Sequence, residues 1–186
     1  MRIIAGTFRG KKFLPPKDNK TRPLKDLVKE SIFNILNHSN KISSQIENAN
    51  VLDLFSGVGS FGLECLSRGA KFVTFIENYP EVLEILYKNL NDFKLTNKFR
   101  VIEKNIINDF YSINYDDNFD IIFLDPPFKE KNINQILNNI ISKKILKIDG
   151  TVILHRHKNE IDKFPESLKI IEEKKYGISK ITFAKI

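Results

Sequence analysis

Residues 50–69 read "NVLDLFSGVGSFGLECLSRG", and the fold turns on how they are parsed. "NVLDLF" is a near-continuous apolar run, the mark of a strand covered on both faces, and "GSFGLECLSRG" resumes at helical spacing beyond a glycine-rich turn. The alternation continues downstream: a strand over 71–77, a helix over 80–93, a strand over 99–105, a short helical turn, a strand over 119–125, a helix over 133–146 and a strand over 150–156. Five strands separated by helices require parallel pairing through right-handed crossovers, so a doubly wound α/β sheet is predicted. Residues 168–186 break this rhythm and read as two strands joined around Tyr176-Gly177, an antiparallel hairpin on one edge. Upstream, Leu24, Leu27, Val28, Ile32, Ile35 and Leu36 recur at helical spacing behind Pro23, which suits a helix start. Ile3, Ile4, Phe8, Phe13 and Leu14, set around Gly6 and Gly10, predict a short N-terminal hairpin.

With 186 residues, 41% of them hydrophobic, the chain fits one domain with small additions. The expected division is a basic hairpin and helix over 1–40 and a main domain over 41–186. No apolar run reaches the roughly 18 residues of a membrane span, and "MRIIAGTFRGKKF" lacks the apolar core of a signal peptide, so the cytoplasm is the expected compartment. The single cysteine, Cys65, excludes an intrachain disulfide, cannot make a zinc site alone and reads as a core residue. Residues 1–25 hold eight Lys and Arg against Asp18, which accounts for the whole net charge of +7. A basic arm on a neutral body is the footprint of a phosphate-backbone binder, with Arg2, Arg9, Lys11 and Lys12 as candidate contacts. A solvated terminus would have the same composition.

Ligands of open parallel sheets bind outside the carboxyl ends of the strands. There Gly57, Gly59 and Gly62 fit the G-x-G-x-x-G spacing that lets a backbone approach a nucleotide-like ligand, and Glu77 ends the next strand where ribose hydroxyls need an acceptor. A dinucleotide-binding oxidoreductase uses the same spacing. Asp53 argues otherwise, because a carboxylate just before the glycines repels a pyrophosphate and attracts the ammonium and sulfonium of S-adenosylmethionine; it is alternatively a cap of the following helix. Asn105 and Ile106, at the end of the third strand, suit the edge and face of an adenine, although Asn105 equally suits a helix N-cap.

The fourth strand runs into Asp125-Pro126-Pro127-Phe128. The exocyclic amine of a nucleobase is a poor nucleophile until acceptors draw its protons and turn it towards tetrahedral geometry. Asp125 is a general-base acceptor, a proline-fixed carbonyl such as that of Pro126 is a second, and Phe128 is a face on which a flipped base stacks. A proline-rich turn after a buried strand is the plain alternative.

These blocks, with "MRIIAGTFRGKKF", "TRPLKDLVKESIFNIL" and "YGISKITF", resemble the RsmD-type family of 16S ribosomal RNA guanine-N2 methyltransferases over essentially the whole chain. The resemblance implies a seven-stranded, Rossmann-like class I methyltransferase fold, S-adenosylmethionine as cofactor, and one guanine (966 in the usual ribosomal count) of the small subunit or its assembly intermediate as acceptor. No metal, no membrane and a monomer are expected. Residue by residue, it implies that Asp53, Phe55, Gly57 and Gly59 hold the methionyl part, Glu77 and its neighbour Asn78 the ribose, and Asn105 with Ile106 the adenine. Asp125 to Phe128 take the guanine, and Arg22 lies beside cofactor or RNA. The sequence departs from the family in having Leu24 where a threonine is usual after Arg-Pro, and "LHRHK" where the fifth strand often carries a carboxylate; His155 and His157 there read as surface residues or as RNA contacts. A DNA or RNA adenine-N6 methyltransferase, a nicotinamide-dependent oxidoreductase and a non-catalytic nucleic-acid-binding module are the competing readings.

Overall fold

Seven strands in the order β3-β2-β1-β4-β5-β7-β6 form the sheet of the computed structural model, which describes residues 1–17, 24–115 and 117–186. The chain runs through α1 (Asp26–His38), β1 (Asn50–Leu54), α2 (Ser60–Ser67), β2 (Phe72–Glu77), α3 (Pro80–Asp92) and β3 (Phe99–Glu103). It continues through α4 (Ile106–Asp109), a 3₁₀ turn (Phe110–Ser112), β4 (Phe119–Leu124), α5 (Ile133–Ser142), β5 (Leu146–His157), β6 (Lys169–Tyr176) and β7 (Ser179–Lys185). β1 to β5 pair in parallel, and β7 lies antiparallel between β5 and β6. The strand order reverses between β1 and β4, so the carboxyl ends of these two strands open one crevice.

Side-chain alternation assigns the two faces. Val51, Phe75, Phe123 and Ile153 pack with α1, α2 and α3, whereas Leu52, Leu54, Ile122 and Leu154 pack with α4 and α5. Every residue of β1 is buried, which explains its unbroken apolar look. Gly62 lets α2 lie against the sheet, since a Cβ there would sit 2.2 Å from Phe75 Cε1. α5 stops at Ser142 rather than running on to 146: Lys144 takes a left-handed φ of 54°, and Leu146 is already paired with Phe119. Pro23, the expected helix start, lies outside the described residues; α1 begins after Lys25 without a side-chain cap.

The N-terminal segment closes as a loop on one antiparallel bridge, Arg2 to Lys12, and packs on the body instead of projecting from it. Ile3 and Phe13 join the same core as α1 and α2. Glu64 of α2, fully buried, accepts from the Ile4 and Ala5 amides (2.8 and 2.9 Å) and from Arg68 Nε at 2.9 Å, with the buried Lys29 ammonium of α1 at 3.5 Å. Lys29 also donates to the Arg2 carbonyl at 2.7 Å. Gly6 lies against the end of α2 with φ of 83°, and a Cβ there would be 1.9 Å from the Ser67 carbonyl oxygen. No helix among the described residues is long and apolar enough to cross a membrane.

Candidate active site

Beyond Leu54 the chain turns sharply. Phe55 and Gly57 have φ of 59° and 55°, Ser56 Oγ donates to the Asp53 carbonyl at 2.6 Å, and Gly59 (φ 86°) starts α2. A Cβ on Gly59 would lie 2.7 Å from Leu86 Cδ1, so this glycine serves the helix entry and its packing. Asp53 is 1% exposed and uses Oδ2 to accept the Gly62 amide at 3.0 Å, so it does bond the first turn of α2 while also facing the crevice. Burial pushes its carboxyl well above the ordinary carboxylate range, the nearby Asp125 and Glu77 push it further, and the Gly62 bond opposes them.

Glu77 closes this turn from β2. Its carboxylate accepts the amides of Gly57 (2.8 Å), Asn78 (2.9 Å) and Tyr79 (3.0 Å), which fixes its orientation and leaves lone pairs for a ligand hydroxyl. At the end of β3, Asn105 caps α4: its Oδ1 accepts from Ile107 N at 2.9 Å. Of the two readings of Asn105, the N-cap is the one its side-chain oxygen adopts, and the residue still lines the crevice beside Ile106.

From β4, Asp125 emerges next to this turn, its amide 3.4 Å from the Leu54 carbonyl oxygen. Its Oδ1 lies 2.7 Å from His155 Nδ1 of β5. The Pro127 carbonyl accepts both the Glu130 amide (2.9 Å) and Arg156 Nη1 (3.2 Å), whereas among the described residues no hydrogen bond engages the Pro126 carbonyl. Phe128 packs edge-on against His155 and His157, with ring centroids 6.0 and 5.4 Å away.

These groups converge on one cavity of about 490 Å³, a size suited to a cofactor or drug-sized ligand. Asp53, Phe55, Gly57, Glu77, Asn78, Asn105, Ile106 and Asp125 through Phe128 all line it; Gly59 does not. Met1 and Leu24 complete one wall, which brings the N-terminal segment to the site. Four acidic residues, Asp53, Glu77, Asp125 and Glu130, line this largely apolar space against one lysine, Lys104, a balance that favours a ligand carrying positive charge. Among the described residues no cluster suits a metal ion.

Two residues of β5 depart from the sequence-based expectation. His155 is not a surface residue: it is 5% exposed, because it shares the face of Ile153 and meets Asp125 across the β4–β5 pair. His157 is half-buried against Phe128. Arg156, which the sequence did not single out, is 1% exposed and braces the 125–130 loop through the Pro127 and Glu130 carbonyls (3.2 and 2.8 Å) and through Asp162 at 3.2 Å. Of the basic candidates, Arg2, Arg9 and Lys12 are exposed, Arg2 within 3.7 Å of Asp26. Lys11 is already engaged, donating to the Asp92 carbonyl with its ammonium 4.2 Å from the Phe93 ring centre. Arg22 lies outside the described residues.

Comparison with known proteins gives the family. The sequence matches the family described as conserved hypothetical protein 95 over residues 1–185. It is 34% identical over 179 residues to the ribosomal RNA small subunit methyltransferase D of Haemophilus influenzae, covering 96% of this chain and 90% of that protein. It is 30% identical to Bacillus subtilis YlbH, over 100% of this chain and 98% of the relative. The solved structure of Escherichia coli yhhF superposes with a TM-score of 0.83 at 29% identity, over 99% of this chain and 96% of that one. With the family model matched over residues 1–185 and relatives 30% and 34% identical over nearly the whole chain, this protein belongs to the RsmD-type methyltransferase family.

Proposed function

We propose that this protein transfers the methyl group of S-adenosylmethionine to the exocyclic N2 amine of a guanine in 16S ribosomal RNA, of the 966 type, within the small ribosomal subunit or its assembly intermediate. The observation that carries this reading is the meeting of the Asp125 carboxylate and the Pro126 carbonyl with the Asp53–Glu77 crevice in one cavity. The donor set suits the cofactor: the acidic groups of the crevice favour its ammonium and sulfonium, Glu77 has acceptor capacity for ribose hydroxyls, and Ile106 is an apolar face for adenine. The cofactor supplies an electrophilic methyl.

The remaining work belongs to the chain. Asp125 Oδ2 accepts one N–H of the amine, and the Pro126 carbonyl, on a backbone fixed on both sides by proline, accepts the other; the nitrogen lone pair is thereby released from the ring and turned towards the methyl. Phe128 stacks on the displaced base. Most of the acceleration comes from this alignment, since in-line displacement is mainly a matter of orientation. Residues 1–40 form the RNA-facing extension of the 41–186 catalytic domain, with Arg9 and Lys12 towards phosphates and the particle's shape supplying further specificity.

The test uses small subunits isolated without this methylation, labelled S-adenosylmethionine, and the Asp125→Ala variant. The reading expects transfer by the wild-type protein and a loss of about 10²–10⁴-fold in the variant with cofactor affinity retained. Undiminished turnover in the variant would sink the assignment of Asp125.

A further inference from the structure

We propose that His155 is a positioning residue, holding Asp125 through an Nδ1–H···Oδ1 bond so that Oδ2 alone is presented to the acceptor amine. This rests on the methyltransferase reading above. The sheet creates the pair: Leu124 of β4 is in register with Leu154 of β5, so Asp125, just past the end of β4, lies beside His155 within β5. His155 is 5% exposed, and its Nδ1 lies 2.7 Å from Asp125 Oδ1.

The other ring nitrogen decides the tautomer. Nε2 is buried with no hydrogen-bond partner among the described residues. A proton there would be shut away without an acceptor, and the Nδ1 lone pair would then face the carboxylate lone pairs at 2.7 Å. The proton therefore sits on Nδ1 and points at Asp125. The Phe128 ring, edge-on to the imidazole, limits its rotation. Asp125 shares the cavity with the carboxylates of Asp53 and Glu77, so a hydrogen-bond donor on one of its oxygens offsets their repulsion while leaving the second oxygen to the substrate.

The test pairs two variants with a spectroscopic readout. His155→Leu removes the donor and should lower kcat about 10- to 100-fold, the scale of one lost charge-assisted hydrogen bond, with the cofactor Kd within about threefold of wild type. His155→Asn places an amide donor near Nδ1 and should recover most of that loss. Selective ¹⁵N labelling of histidine should show His155 protonated on Nδ1 near neutral pH, with the Nδ1 signal shifting in Asp125→Asn. Full activity in His155→Leu, equal losses in both variants, or an Nε2-protonated ring overturns the proposal. Failure of the underlying methyltransferase reading is distinct, because it shows as absent transfer by the wild-type protein, and the ¹⁵N measurement still decides the pairing.

Discussion

Replacing Glu64 by leucine removes the carboxylate to which the N-terminal segment is tied. In the wild-type protein this fully buried side chain accepts the Ile4 and Ala5 amides at 2.8 and 2.9 Å, meets Arg68 at 2.9 Å, and has the fully buried Lys29 ammonium at 3.5 Å. Burial lowers the Lys29 pKa, and Glu64 is the foremost group opposing that shift. Breaking a buried ion pair by deleting one partner costs about 3–5 kcal/mol, and each stranded backbone amide about 1–3 kcal/mol. The amide losses do not add in full, because residues 1–14 can peel away and rehydrate, so the expected loss is about 3–5 kcal/mol. In urea, with a slope of about 2 kcal/mol/M, the midpoint should fall by roughly 1.5–2.5 M. Met1 and Leu24 line the cavity, so cofactor affinity should fall as well. Adding Lys29→Met should restore part of the stability, since the fully buried ammonium is gone while Arg68, with a side chain 13% exposed, still lacks its carboxylate. A midpoint shift below roughly 0.5 M for Glu64→Leu alone would refute the reasoning, because the slope makes that about 1 kcal/mol.

Three further outcomes follow from the geometry. Asp53 has a carboxyl pKa raised in the folded state by burial, so its contribution is fully present below the unfolded value of about 3.9 and is lost as pH rises. Asp53→Asn should therefore match wild-type thermal stability near pH 4 and exceed it by pH 8, while binding S-adenosylmethionine about tenfold more weakly; a Tm difference that does not change with pH would contradict this. Arg156→Lys cannot reproduce the guanidinium bonds to the Pro127 and Glu130 carbonyls and should cost about 2–3 kcal/mol in a denaturant titration, with kcat falling more than cofactor affinity. Arg9→Ala and Lys12→Ala should each flatten the log–log salt dependence of RNA binding by about one unit for a phosphate contact, whereas Lys11→Ala should be seen first as lost stability, because its ammonium is bound to the body.

The strand–turn–helix of residues 50–69 and the Asp125–Phe128 loop were legible because each is a local pattern: an apolar run, a break in backbone chemistry, and a change of period. What escaped was set by pairing between distant segments. His155 looked like a surface residue because a histidine in "LHRHK" carries no local signal; only the β4–β5 register and its phase with Ile153 turn it inward to Asp125. Extending the alternation of β5 by two residues would have found it. Arg156 points to the opposite side of its strand, and it is buried because the Pro127 and Glu130 carbonyls and Asp162 need its donors. Lys29 sits within an exposed-looking stretch of α1, and Glu64 on another helix, with the Arg2 carbonyl, accounts for its burial. Asn105 shows the converse: both roles assigned to it were sound chemistry, and the start of α4 claimed its oxygen.

Nucleoside analysis of 16S RNA from unmethylated small subunits, after incubation with the protein and S-adenosylmethionine carrying a labelled methyl group, decides which acceptor the site serves. The label should appear in N2-methylguanosine. Label in N6-methyladenosine would preserve the amine chemistry of Asp125 and overturn the acceptor, and no label in RNA from a protein that binds the cofactor would contradict the account.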